Sequence, residues 1–124
     1  MEKRKDVLIL DDEPIVGERL RPVLEKAGFN VETYTESQKA LKRLEEKRFQ
    51  VVVTDVKMSG PDGIDVLSFV KKRGLDTQVI VITGYGSIET VLDSKYLGAF
   101  KFIRKPFKMD DLCKVVIKAA KKVK

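Results

Sequence analysis

The chain has 124 residues, enough for one globular domain and too few for two of ordinary size. Apolar residues make up 43% of it and charged residues 35%, and the apolar ones fall in compact runs, which argues against global disorder. The single cysteine, Cys113, excludes an internal disulfide framework, while the formal charge of +6 raises nucleic-acid binding as a reading to test.

The basic N-terminus is followed by an apolar run, Val7 to Leu10, that two aspartates cut short. Such a run is too short for a signal peptide core or a membrane span, so the expected location is the cytoplasm. Lysines are spread over several segments, with a cluster at Lys114, Lys118, Lys121, Lys122 and Lys124. With no DNA-reading motif in the chain, solvated helix faces explain them better than a nucleic-acid partner.

Five short apolar runs are predicted as strands: Asp6–Leu10, Asn30–Tyr34, Gln50–Thr54, Gln78–Thr83 and Phe100–Ile103. Three of them are continuous and aliphatic, the pattern of strands covered by helices on both faces. The first helix opens at Pro14, a favourable first-turn position, and stops at Gly28, with Pro22 inside it expected to kink it. The second follows Thr35-Glu36-Ser37-Gln38, which reads as a capping box, and carries Ala40, Leu41 and Leu44 on one face. The third runs from about Ile64 to Arg73 before Gly74, and a fourth follows Gly86-Ser87 and ends near Gly98. A fifth begins near Met109 and runs to the end, with Leu112, Val116, Ala119, Ala120 and Val123 as its core stripe. Val115, Cys113 and Ile117 widen its apolar arc to roughly 200°, more than a sheet covers, and the excess reads equally as ordinary exposed aliphatics or as a surface for a second copy or an output domain.

Alternating strands and helices of these lengths imply an α/β fold with a parallel sheet and right-handed crossovers. Such sheets bind ligands at the carboxyl ends of their strands. There the sequence places Asp11-Asp12-Glu13 after the first strand, Asp55 after the third, Thr83-Gly84 at the end of the fourth and Lys105-Pro106-Phe107 after the fifth. Converging carboxylates repel one another and recruit a cation, and an all-oxygen set suits Mg²⁺. An exposed aspartate beside that ion can act as a nucleophile toward phosphorus, with a lysine and a hydroxyl holding the phosphoryl oxygens. Each residue alone has an ordinary explanation as a helix cap, a turn or a surface acid. Their joint placement at four strand ends favours the chemical one.

These motifs resemble the response-regulator receiver family. The residues that carry the likeness are Leu10-Asp11-Asp12-Glu13, Thr54-Asp55-Val56-Lys57-Met58, Pro61-Asp62-Gly63, Val81-Ile82-Thr83-Gly84-Tyr85, Gly98-Ala99-Phe100 and Lys105-Pro106-Phe107. The likeness covers essentially the whole chain and implies one receiver domain over residues 1–124. It further implies a flavodoxin-like, doubly wound five-stranded sheet of order 2-1-3-4-5.

By the same resemblance Asp55 is the phosphoacceptor, charged by a histidine kinase or phosphotransfer protein. Asp12 is a direct Mg²⁺ ligand, Asp11 acts largely through water, and the backbone carbonyl of Lys57 adds a further ligand. Thr83 is the switch hydroxyl, Lys105 the counter-charge, and Phe102 the aromatic that follows Thr83. The response spreads over the face formed by the fourth helix, fifth strand and fifth helix, through which a homodimer or an output domain would be controlled. Lys105-Pro106 is expected as a cis peptide. Lys57 and Tyr85 stand where the family modulates loss of the phosphoryl group, and their bulk predicts slow self-dephosphorylation. Ser59 follows Met58 where the family commonly has proline, a departure bearing on loop stiffness.

The resemblance implies a switch that phosphorylates and dephosphorylates itself, not an enzyme acting on a separate substrate. A haloacid-dehalogenase-type phosphatase would need an acid two residues after the nucleophile, and Lys57 stands there. A receiver-like module that no longer takes up phosphate would not be expected to carry Asp11, Asp12, Asp55, Thr83 and Lys105 together.

Overall fold

A computed structural model describes residues 4–55, 63–84 and 98–123, apart from the side chains of residues 63, 64 and 83. Strands β1 (Asp6–Leu10), β2 (Asn30–Tyr34), β3 (Val51–Asp55), β4 (Gln78–Thr83) and β5 (Lys101–Arg104) form one sheet of order β2-β1-β3-β4-β5. Every neighbouring pair is parallel. The described helices are α1 (Pro14–Lys26), α2 (Ser37–Glu46), α3 (Gly63–Lys72) and a C-terminal helix (Met109–Ala120). The predicted fourth helix lies outside the described residues.

The aliphatic strands bury both faces, and alternation along each strand sorts its side chains between two layers. Val7, Ile9, Val51, Val53, Ile80 and Ile82 pack with Leu20 and Leu24 of α1 and Leu112 and Val116 of the C-terminal helix. Leu8, Leu10 and Val52 turn the other way, onto Ala40 and Leu44 of α2 and Val66 of α3. Val79 and Val81 meet Leu67 and Val70 of α3. Each such aliphatic contributes about 1.5–3 kcal/mol by leaving water.

Local chemistry sets the ends. Gly28 and Gly74 end α1 and α3 with φ of +103° and +63°, a conformation that glycine alone adopts without strain. Lys5 Nζ donates to the carbonyls of Ala120 and Val123 at 2.5 and 2.7 Å, satisfying orphan acceptors at the end of the C-terminal helix. The Cβ that any other residue would bring to position 17 would lie 3.1 Å from Thr33 Cβ, so Gly17 lets α1 pack close against β2. Helix α1 continues through Pro22 to Lys26. Pro22 and Glu18 are both exposed, so water can reach the carbonyl that loses its partner.

Three expectations need correction. The capping box before α2 does not form: the N-cap is Glu36, with no side-chain cap, and Thr35 lies one residue too early for its hydroxyl to reach the first turn. Glu36 instead pairs with Lys39 at 2.9 Å. The third and fifth strands each start and end one residue later than predicted. Asp55 is therefore the last residue of β3, at the strand end where it was expected, in register with Ile82 of β4. The apolar arc of the C-terminal helix is also less open than expected, because α1 packs beside it. Cys113 is buried, and Val115 and Ile117 are half-buried against the core. Ile15 is the only large hydrophobic exposed among the described residues.

Candidate functional site

The order of the sheet reverses between β1 and β3, the crevice where doubly wound sheets hold ligands. Asp11 leaves β1 there and Asp55 closes β3 there. The Asp11 backbone N–H donates to the Tyr34 carbonyl at 3.1 Å, which holds the turn against β2. Asp11 Oδ1 accepts the Glu13 backbone N–H at 2.9 Å, so the carboxylate is fixed by its own turn just before α1 begins. Its other oxygen, Oδ2, points into the crevice.

Lys105 follows β5, and its peptide bond to Pro106 is cis. Its ammonium bridges three carboxylates, lying 2.8 Å from Asp11 Oδ2, 3.0 Å from Glu13 Oε1 and 3.1 Å from Asp55 Oδ2. The last two are aligned hydrogen bonds. The contact with Asp11 Oδ2 is close but not aligned, so that buried atom has no hydrogen-bond partner among the described residues. Asp12 completes the acidic group: Asp11, Asp12, Glu13 and Asp55 each offer an oxygen, all within 4.8 Å of one another.

Four acids around one ammonium leave an excess of negative charge. Burial pushes the Asp11 carboxyl above the usual aspartate range. The adjacent Lys105 ammonium and the hydrogen bond from the Glu13 N–H oppose that shift, and the charge of Asp55 adds to it. Burial also works against the Lys105 ammonium, but its close contacts with Asp11, Glu13 and Asp55 outweigh it and hold the group above the ordinary lysine value. Lysine is therefore the resident counter-charge, and it does not satisfy every oxygen.

A hard divalent cation fits this group. All four donors are carboxylate oxygens, with no nitrogen or sulfur among them, and one buried oxygen lacks a hydrogen-bond partner among the described residues. Such a set can bind the cation, and Asp55 at the strand end can present an oxygen to phosphorus.

The structure thus brings Asp11, Asp12, Asp55 and Lys105 together. Thr83 closes β4 by its backbone, but its side chain, like Lys57 and Tyr85, lies outside the described residues. Phe102 does not join the charged group. It stands two residues before Arg104, the partner of Thr83, half-buried against the cluster of Leu67, Val70, Val79 and Val81. Sequence reasoning gave Glu13 no role, although its position directly after the two aspartates was a visible signal; the structure puts it on Lys105.

The sequence matches the response regulator receiver domain family over residues 7–117. It is 38% identical over 121 residues to a putative NtrX-like response regulator of Rickettsia conorii, covering 96% of this chain and 26% of that relative. Over 116 residues it is 31% identical to the transcriptional regulatory protein FixJ of Bradyrhizobium diazoefficiens, covering 94% and 57%. The chain therefore spans about a quarter of the first relative and somewhat over half of the second. Among solved structures, a response regulator receiver domain protein from Clostridium thermocellum is 31% identical with a TM-score of 0.86 over 95% of both chains. The crystal structure of FixJ-N is 29% identical with a TM-score of 0.83, covering 98% of this chain and 96% of that one. With the reversal between β1 and β3, the converging acids and the bridging lysine all in place, the chain belongs to the response regulator receiver domain family.

Proposed function

We propose that this receiver accepts a phosphoryl group on Asp55 from the phosphohistidine of a histidine kinase or phosphotransfer protein. The observation that carries this is the Asp55 carboxylate held 3.1 Å from Lys105, beside a buried Asp11 oxygen without a hydrogen-bond partner among the described residues. An Asp55 oxygen attacks phosphorus, the phosphorus–nitrogen bond of the donor breaks, and the protonated imidazole leaves as the neutral ring. Mg²⁺, held by Asp11, Asp12, Asp55 and the Lys57 carbonyl, would neutralise charge on the transferring phosphoryl oxygens.

Lys105 is already hydrogen-bonded to Asp55 and stays with the phosphoryl oxygens as they replace the free carboxylate. The Thr83 hydroxyl binds another of those oxygens, and Phe102 moves with it. The change biases a two-state face formed by the fourth helix, β5 and the C-terminal helix, through which an output domain or a second copy is controlled. Lys57 and Tyr85 shield the acyl phosphate from water and slow its loss. The protein acts in the cytoplasm as a regulator that turns over its own phosphoryl group. Among the described residues no helix is long and apolar enough to cross a membrane.

The test is intact mass after incubation with Mg²⁺ and acetyl phosphate, with Asp55→Asn alongside. One phosphoryl adduct, lost with chelator and absent from the variant, is expected. A folded protein that gains no adduct and ignores beryllofluoride would be a phosphorylation-independent interaction module instead.

A further inference from the structure

Glu13 stands apart from the other two acids that contact Lys105. Its side chain is 62% exposed, against 1% for Asp11 and 11% for Asp55, and yet it holds Lys105 at 3.0 Å. With Asp12 it forms the exposed part of the group, and of those two it is the one in contact with the ammonium that the phosphoryl oxygens need. We propose that Glu13 is a charge gate, a positioning residue that repels anionic phosphodonors from Asp55 and shares Lys105 with them, so that donors are selected by their charge. This rests on Asp55 being the phosphoacceptor.

The physical argument has two parts. An ammonium has three protons, and here Lys105 donates one to Glu13 and one to Asp55 while standing 2.8 Å from Asp11, so an incoming phosphoryl oxygen has to share the ammonium with Glu13. The cation site draws on Asp11, and Asp55 is itself the group modified. Glu13 is the one partner of Lys105 that neither event removes. A donor must also bring two or more negative oxygens past an ionised carboxylate at the rim. At separations of several ångströms near water, that repulsion grows with donor charge and falls with salt.

Acetyl phosphate and phosphoramidate separate this from a structural role, since both deliver the same phosphoryl group while the first carries two negative charges at neutral pH and the second one. In each case the Asp55 oxygen bonds to phosphorus, and acetate or ammonia leaves with the electron pair of the broken bond, ammonia taking its proton from the donor's own ammonium. With saturating Mg²⁺, Glu13→Gln is expected to speed phosphorylation by acetyl phosphate roughly three- to tenfold. The gain should be clearly smaller with phosphoramidate, and the gap should close in high salt. Glu13→Asp, which keeps the charge, should keep the wild-type ratio between donors. Calorimetry with Mg²⁺ alone should show weaker binding to Glu13→Gln, opposite in direction to the faster reaction, because a negative charge beside the cation has gone. Equal changes with both donors, or slower reaction with acetyl phosphate, would overturn the gate and leave Asp55 as the phosphoacceptor. Wild-type protein that takes phosphate from neither donor would overturn both.

Discussion

Two groups of charged side chains in this molecule use the same residue types to opposite ends. On β2 and α2, Glu32 receives two hydrogen bonds from Arg43, at 2.8 and 3.1 Å, and one from the Tyr34 hydroxyl at 2.8 Å. Lys47 adds contacts to Asp6 at 3.0 Å and to Glu32 at 3.4 Å. Both Glu32 oxygens have donors, and the Arg43 guanidinium foremost holds its carboxyl at about 2, despite partial burial. In the crevice, three of four clustered acids share one lysine, Asp11 Oδ2 has no hydrogen-bond partner among the described residues, and burial pushes Asp11 the other way. The first group is closed and braces α2 against the sheet edge. The second is left short of positive charge, and that shortage is what a cation and a phosphoryl group can use.

The largest expected break between the two groups is functional. Asp55→Asn should abolish the phosphoryl adduct entirely, whereas Glu32→Gln should leave its yield unchanged, as read by intact mass. Next comes the cost of exposing the imbalance. Lys105→Met removes the counter-charge from two largely buried carboxylates, and in chelator should destabilise the fold by about 1–3 kcal/mol, below the range for fully buried pairs because the lysine is partly exposed. Adding Mg²⁺ should recover most of that loss, since the cation binds only the folded protein. Urea unfolding with and without Mg²⁺ measures both. A Lys105→Met protein indifferent to Mg²⁺ would mean that the acids do not form a cation site.

The contrast also explains what was legible in the sequence. The sheet was legible because Val7–Leu10, Val51–Val53 and Val79–Ile82 are uninterrupted aliphatics, and buried parallel strands admit little else. Asp11, Asp12, Asp55 and Lys105 were legible because they end strands that the topology brings to one edge. Strand ends slipped by a residue at β3 and β5, where a ladder ends through backbone hydrogen bonds that no side chain announces. The cap of α2 was misread because Thr35 and Glu36 are both chemically able to sit there, and the winner depends on where the chain leaves β2. The Glu32 group was invisible: Glu32, Arg43 and Lys47 look like ordinary surface residues, and only the packing of α2 on β2 makes them partners. The role of Glu13 was hidden for the same reason, since its partner Lys105 is far away in the chain.

The smallest effects are those of pH, and they carry opposite signs in the two groups. Glu32 has a folded value of about 2 against an ordinary value of 4.5. Its contribution is present above the ordinary value and is lost as pH falls through the folded one. Glu32→Gln should therefore cost about 0.5–1 kcal/mol near neutral pH, as expected for a partly exposed ion pair, and almost nothing near the low folded value. Asp11 is raised above its ordinary value of 3.8, so its charge costs stability above the folded value, and that cost is relieved as pH falls toward the ordinary one. In chelator, Asp11→Asn should flatten this rise while Glu32→Gln flattens the fall, as read from urea midpoints from neutral pH down to about pH 2. With Mg²⁺ present the Asp11 contribution should reverse sign, because the cation favours the ionised carboxylate, while that of Glu32 should stay as it was. If Mg²⁺ moved both profiles alike, the two groups would be one coupled network, and the division between a closed brace and an open site would be wrong.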